Sequence, residues 1–362
     1  METIADFEVQ YSQFLNPEGK PNADIPDLAT DTDQLVDMYR MMTETRVFDS
    51  KAINLQRTGK LGTYASCLGH EATHVGIAAA MRPGDVLAPS YREIGALLGR
   101  GVTMAEILLY WGGNECGSDY SGPRKDFPFC VPIATQCLHA AGAAMAFQHR
   151  GEDHCAVSIN GDGGTSEGAF YEAMNIAGAR KLSVVFMVVN NKWAISVPIE
   201  LQTASQTLAQ KSVAAGIPGI QVDGNDIIAV RHWVERALQR ARNGEGACLI
   251  EAVTYRLSDH TTADDSSRYR KKEEVEAARA VEPLPRIRQY LTDLGVWDDK
   301  KEAALLSDAV TKVDSAVEIY LNTPKPSIES MFDYMYAQWP EQLEEQREHA
   351  TRYGAASEDQ HG

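Results

Sequence analysis

The sequence predicts an α/β protein: a parallel sheet with helices on both faces, followed by a helical C-terminal tail. Three observations carry that expectation. Short apolar runs are bounded by turn signals, amphipathic segments lie between them, and after residue 270 the chain turns to charged sequence with no strand-like run.

Taken in order, residues 1–32 hold Pro17, Pro21 and Pro26 among polar residues and read as an irregular arm lying on a surface. A helix follows from about Asp33 to Arg57. The runs His154 to Asn160, Ser183 to Asn190 and Ala247 to Tyr255 have the length and apolar character of buried parallel strands. Between them, Gly168 to Arg180 and Asn225 to Arg242 place apolar residues at three- and four-residue intervals, as in Ile227, Ile228, Val230, Val234, Ala237 and Leu238. Residues 33–270 are thus expected to form one α/β domain. Residues 271–362 are expected as a helical extension packed on it, broken by Pro283, Pro285, Pro324 and Pro326.

A chain of 362 residues with 44% hydrophobic content can bury a sizeable core. Its formal net charge of −17 argues against a nucleic-acid partner or an anionic membrane, which need a basic field. Small substrates and protein partners remain. The cysteines, Cys67, Cys116, Cys130, Cys137, Cys155 and Cys248, form no C-x-x-C pair and read as reduced thiols in a cytosol. The acidic start, Met1 to Glu8, has neither a secretory nor a transit pattern. The apolar stretch Ala140 to Phe147 is far shorter than the ~20 residues that span a bilayer. A soluble, cytoplasmic protein is expected.

In an open parallel sheet the ligand lies beyond the carboxyl ends of the strands, so the residues after each strand matter most. The first run leads into Gly161-Asp162-Gly163-Gly164-Thr165-Ser166-Glu167-Gly168, where glycines admit a ligand to the backbone and a helix start can hold an anion. The second leads into Asn190-Asn191-Lys192-Trp193. Asp162 and Asn191 lie 191 − 162 = 29 positions apart, which one helix and one strand fill before returning to the same sheet edge. Mg²⁺ takes six hard oxygens and few carboxylates, so an Asp, an Asn, a backbone carbonyl and a diphosphate suit it. Each residue alone is as readily a helix cap or a turn; the joint spacing makes them a site.

This G-D-G followed by N-N resembles the thiamine-diphosphate fingerprint. The surrounding text is similar to the alpha subunits of the pyruvate and branched-chain 2-oxo acid dehydrogenase complexes, from about Phe14 to Gln346. The resemblance implies the thiamine-diphosphate-binding fold, with Mg²⁺ held by Asp162, the Asn191 side chain and the Trp193 carbonyl, and with the Gly163 and Gly164 amides near the diphosphate. It matches Tyr91 and Arg92 of Ser90-Tyr91-Arg92-Glu93 to a pair that meets the diphosphate, Arg92 through a bidentate fork. It sets Ile133 against the aminopyrimidine ring. The stretch Arg256 to Arg270 is similar to the family's active-site loop, with Arg256 and His260 toward the diphosphate and substrate entrance, and His260 as the catalytic residue assisting acyl transfer. Animal members of the family carry regulatory phosphoserines in this loop, where this chain has Thr261 and, further on, Ser266-Ser267. Tyr64 and His70 match a substrate-channel region.

The implied activity is oxidative decarboxylation of pyruvate with reductive acetylation of a lipoyl group, or the same reaction on a branched-chain 2-oxo acid. Leu208 to Gly224 looks closest to bacterial pyruvate enzymes, while Ile133 to Gln136 and Asp264 to Ser267 resemble branched-chain ones. In this family the glutamate that activates the pyrimidine comes from a beta subunit, so the resemblance implies an alpha2beta2 heterotetramer, inactive as alpha alone, serving a lipoyl-bearing acyltransferase core. A nicotinamide dehydrogenase is disfavoured by the lack of G-x-G-x-x-G at a strand-to-helix turn. A non-catalytic scaffold is disfavoured by the intact Asp162, Asn191, Arg92 and His260.

Overall fold

The computed structural model describes residues 1–358. In chain order come β1 (Gln10–Ser12), α1 (Thr32–Arg57), α2 (Glu71–Ala80), β2 (Val86–Ala88), α3 (Ile94–Arg100), α4 (Met104–Trp111) and α5 (Thr135–Arg150). Then follow β3 (Ala156–Gly161), α6 (Gly168–Arg180), β4 (Val184–Asn190), the hairpin strands β5 (Trp193–Ala194) and β6 (Val197–Pro198), and α7 (Ile199–Gln202). The last are β7 (Gly219–Asp223), α8 (Ile227–Arg242), β8 (Cys248–Val253), α9 (Lys272–Arg279), α10 (Pro283–Asp293), α11 (Asp299–Asn322), α12 (Ser330–Asp333) and α13 (Glu344–Glu358).

Six strands form one parallel sheet in the order β1-β7-β8-β4-β3-β2. The three expected strands are β3, β4 and β8, and they occupy adjacent places because each is buried on both faces. Alternate residues serve opposite helical layers. Val184, Phe186 and Val188 pack with Ala140, Ala144 and Phe147 of α5 and Phe170, Met174 and Ala177 of α6. On the other face α8 lies against β4, β7 and β8, and α2 lies against α8. A second cluster joins Leu35, Tyr39 and Met42 of α1 to Ile227 and Ile228 of α8, Ile287 and Leu291 of α10, and Leu305 of α11.

The arm is not simply irregular surface, as its prolines suggested: β1 adds an edge strand parallel to β7, with Gln10 opposite Ile220 and Ser12 opposite Val222. Asp226 explains why it stays there. One carboxylate oxygen caps α8, accepting from the amides of Ile228 (3.0 Å) and Ala229 (3.3 Å), and the other accepts from Phe14 (2.7 Å) and Leu15 (2.8 Å). Burial pushes this carboxyl up to about 6. The neighbouring Asp223 accepts from Arg286 Nη1 at 2.6 Å, which ties α10 to the same corner.

Two compact units are present, Met1–Glu318 and Ile319–Gly362, so the segment after residue 270 falls partly in each. The second unit contains α12 and α13 and gathers the rings of Phe332 and Tyr336 about Trp339, with centroids 5.5 and 6.2 Å away. Among the described residues no helix is long and apolar enough to cross a membrane.

Replacing Asp226 by Ala strips an N-cap and orphans two buried amides of the arm, and we expect a loss of ~3 kcal/mol. Chemical denaturation of the variant against wild type measures it; a change within about 0.5 kcal/mol, the range of ordinary surface substitutions, would show that the arm is held by other contacts. A pH effect arises at His74, buried with both ring nitrogens lacking hydrogen-bond partners. Burial, then Arg92, lowers its pKa from 6.5 to about 3. Between those values the unfolded chain holds one more proton than the folded one, so stability falls on acidification by about 1.4 kcal/mol per pH unit from this group. His74→Leu should flatten the pH 4–6.5 limb of the stability profile, measured by denaturation at each pH.

Candidate active site

The register that pairs Gly161 of β3 with Val189 of β4 ends the two strands side by side. Asp162 and Asn191 are the residues that follow, and both line a cavity of about 210 Å³ at the carboxyl end of the sheet. Of the residues singled out from the sequence, Tyr91, Arg92, Ile133, Gly163, Gly164, Trp193, Arg256, His260 and His70 line it as well. Tyr64 does not. Its hydroxyl donates to Asp49 Oδ1 at 2.9 Å in a fully buried setting, and its ring stands edge-on to Trp111, so it braces the loop beneath the site.

Asp162 starts a short 3-10 turn, Gly163–Ser166, which stands between β3 and α6, and the helix begins at Gly168 as the sequence indicated. Gly163 and Gly164 of this turn line the cavity. Asp162 is 1% exposed, and its Oδ2 has no hydrogen-bond partner. Burial raises this carboxyl to about 6 even though the backbone amides of Asp162 and Asn191 oppose the shift. An orphaned buried carboxylate oxygen is costly unless a cation meets it. Asn191 Oδ1 lies at the same edge, accepting from the Trp193 amide at 3.2 Å.

Across the cavity two guanidiniums converge on one imidazole. Arg92 Nη2 lies 3.2 Å from His260 Nδ1 and donates to the His260 carbonyl at 2.9 Å, while Nη1 donates to the Ser66 carbonyl at 2.6 Å. Arg256 Nη1 lies 3.5 Å from the same Nδ1 and donates to the Trp193 carbonyl at 3.2 Å; Nη2 donates to the Ile195 carbonyl at 2.7 Å. Facing two donors, Nδ1 must accept, which leaves the proton on Nε2. Burial and the two arginines lower the His260 pKa to about 4, so the ring is neutral at pH 7. Burial, then Arg92, lowers the Arg256 guanidinium to about 10. Among the described residues neither arginine has a carboxylate within 4.0 Å. The Tyr91 ring packs edge-on to His260 at 6.1 Å and beneath the Arg92 guanidinium at 5.4 Å.

Asp162 thus offers an unshared carboxylate oxygen, and the arginines two guanidiniums, to one cavity, a donor set that fits a divalent metal diphosphate. One carboxylate, one amide and backbone carbonyls match the hard, oxygen-rich shell of Mg²⁺, with phosphate oxygens and water completing it. The Trp193 carbonyl already accepts from Arg256 but keeps a second lone pair for a metal.

Backbone strain gathers at the same place. Among the described residues four non-glycines have positive φ, and Ala134 (65°), Lys192 (73°) and Ile195 (57°) flank the cavity; the fourth is Lys181 (51°). Each costs about 1–2 kcal/mol, most severely for β-branched Ile195, and Ile133, Asn191 and Trp193, chain neighbours of the first two, line the cavity with Ile195 itself. Sequence reasoning missed Ile195 because no residue pattern announces that conformation. It also missed the lining residues Asn160 and Glu167, although both stand within or beside the glycine-rich segment.

Comparison with known proteins follows the same line. Residues 39–329 match the dehydrogenase E1 component family. The chain is 42% identical over 348 residues to "3-methyl-2-oxobutanoate dehydrogenase subunit alpha" of Mycobacterium tuberculosis (strain CDC 1551 / Oshkosh), covering 95% of this chain and 94% of the relative. It is 39% identical over 343 residues to "Pyruvate dehydrogenase E1 component subunit alpha" of Bacillus subtilis (strain 168), covering 94% and 92%. The Staphylococcus aureus (strain Mu50 / ATCC 700699) protein of the same name is 39% identical over 350 residues, covering 96% and 94%. With its fold and cavity in agreement, the chain belongs to the dehydrogenase E1 component family and is the alpha component of a thiamine-diphosphate-dependent 2-oxo acid dehydrogenase.

Proposed function

We propose that the cavity holds Mg²⁺ and thiamine diphosphate, and that the chain acts with a beta subunit in a cytoplasmic alpha2beta2 enzyme that decarboxylates pyruvate and acetylates a lipoyl-bearing acyltransferase partner. One observation carries this reading: an unpartnered, buried carboxylate oxygen on Asp162 shares a cavity with two guanidiniums that form no direct ion pair among the described residues. Asp162, Asn191 and the Trp193 carbonyl hold the metal. The amides of Gly163 and Gly164, with Tyr91, Arg92 and Arg256, hold the diphosphate. Ile133 bears on the pyrimidine. When bound, the cofactor supplies the electron sink for decarboxylation. His260, neutral and with its proton on Nε2, offers that proton as a donor at the substrate entrance, and His70 lies deeper in the same wall.

The likeness of Leu208 to Gly224 to bacterial pyruvate enzymes supports pyruvate. The Mycobacterium tuberculosis relative, whose name specifies 3-methyl-2-oxobutanoate, supports a second reading, a branched-chain substrate. Extra methyl groups alter discrimination by only ~1–3 kcal/mol, so a few pocket residues decide between them.

Calorimetry on the assembled alpha and beta chains should show Mg²⁺-dependent uptake of thiamine diphosphate. Asp162→Ala should weaken it about 100-fold, on the order of 3 kcal/mol. Undiminished affinity in that variant would remove Asp162 from the metal site. In the reconstituted enzyme catalytic efficiency should be higher on pyruvate than on 3-methyl-2-oxobutanoate, and the reverse order selects the branched-chain reading. The alpha chain alone, given pyruvate, Mg²⁺, cofactor and an artificial electron acceptor, should turn over negligibly; vigorous turnover would refute a shared site.

A further inference from the structure

Asn160, the penultimate residue of β3, is 1% exposed and lines the cavity, yet its Nδ2 has no hydrogen-bond partner. The orientation of its amide is set by a neighbour. Gln136, at the start of α5 and equally buried, donates from Nε2 to the Ile159 carbonyl at 2.9 Å and to Asn160 Oδ1 at 3.3 Å. Turning the Asn160 amide over would set donor against donor, and turning Gln136 over as well would set its oxygen against the Ile159 carbonyl. Asn160 must therefore present its N–H end as the free one.

The amide as a whole is pressed against the glycine turn. A Cβ on Gly164 would lie 2.1 Å from Asn160 Oδ1 and 2.5 Å from Nδ2, so the amide fills the space that any side chain at 164 would need. A buried amide hydrogen without a partner costs about 1–3 kcal/mol, and Gly163 and Gly164 of the turn beside it line the same cavity.

We propose that Asn160 is a further anchor for the anionic ligand of this cavity, donating from Nδ2 to a phosphate oxygen, with Gln136 as the positioning residue that aims it. The assignment rests on the metal-diphosphate reading of the site and adds to it a donor that comes from inside the strand rather than from the loops beyond it.

The test uses the assembled enzyme, with titration of two probes in the presence of Mg²⁺: thiamine diphosphate and inorganic diphosphate. Asn160→Asp keeps the acceptor for Gln136 but replaces the donor with an oxygen. It should weaken both probes at least about tenfold. Asn160→Thr, smaller but still a donor, should keep affinity within about threefold. The proposal is overturned if the Asp variant binds both probes like wild type, or if the Thr variant loses as much as the Asp variant. Loss confined to thiamine diphosphate also overturns it, since the contact would then lie away from the phosphates. A wild-type enzyme that takes up neither probe would overturn the metal-diphosphate reading itself, a result distinct from any difference between variants.

Discussion

The parallel register between β3 and β4 is the constraint on which the rest depends. It lays Gly161 beside Val189, so the chain leaves both strands at one edge and Asp162 must arrive next to Asn191. A shift by one residue would turn every side chain of a strand to the other helical layer, placing Val185 and Met187 where Val184 and Phe186 now meet α5 and α6. Packing on both faces therefore holds the site's geometry to the register. The two side-chain oxygens need no mobile loop to find each other.

Charge gives the cavity its selectivity. Arg92 lies close enough to weaken the hold of Arg256 on its charge, and both lean on a neutral imidazole and on backbone carbonyls instead of carboxylates. Such an arrangement is poorly satisfied until an anion arrives. Asp162 has the complementary deficit a strand away. A ligand bringing only one sign of charge relieves half of this; a metal-bound diphosphate relieves both.

How much of this was legible depended on burial. The strands β3, β4 and β8 stood out because a central strand covered on both faces is mainly apolar. The outer strands did not: Gln10-Tyr11-Ser12 and Gly219 to Asp223 carry polar residues, and Val86 to Ala88 is too short to register as an apolar run. Helix α5, rich in alanine and glycine, has little contrast between its faces, so its sequence looked like an apolar stretch. At the site, Asp162 and Asn191 were readable as residues following central strands, whereas Arg256 and His260 came from the family resemblance, and all four line one cavity. Tyr64, matched by resemblance to a substrate channel, is held away from that cavity by Asp49, which claims its hydroxyl. Positive φ at Ile195 and the aimed amide of Asn160 are products of tertiary context, with no local signature.

The arm's attachment also bears on handling of the protein. Proteolysis just after Leu15 would release β1 and remove two of the amides that Asp226 holds, leaving β7 as an uncovered strand edge of five residues. Open strand edges recruit other chains. A clipped preparation would then be sticky rather than merely shortened.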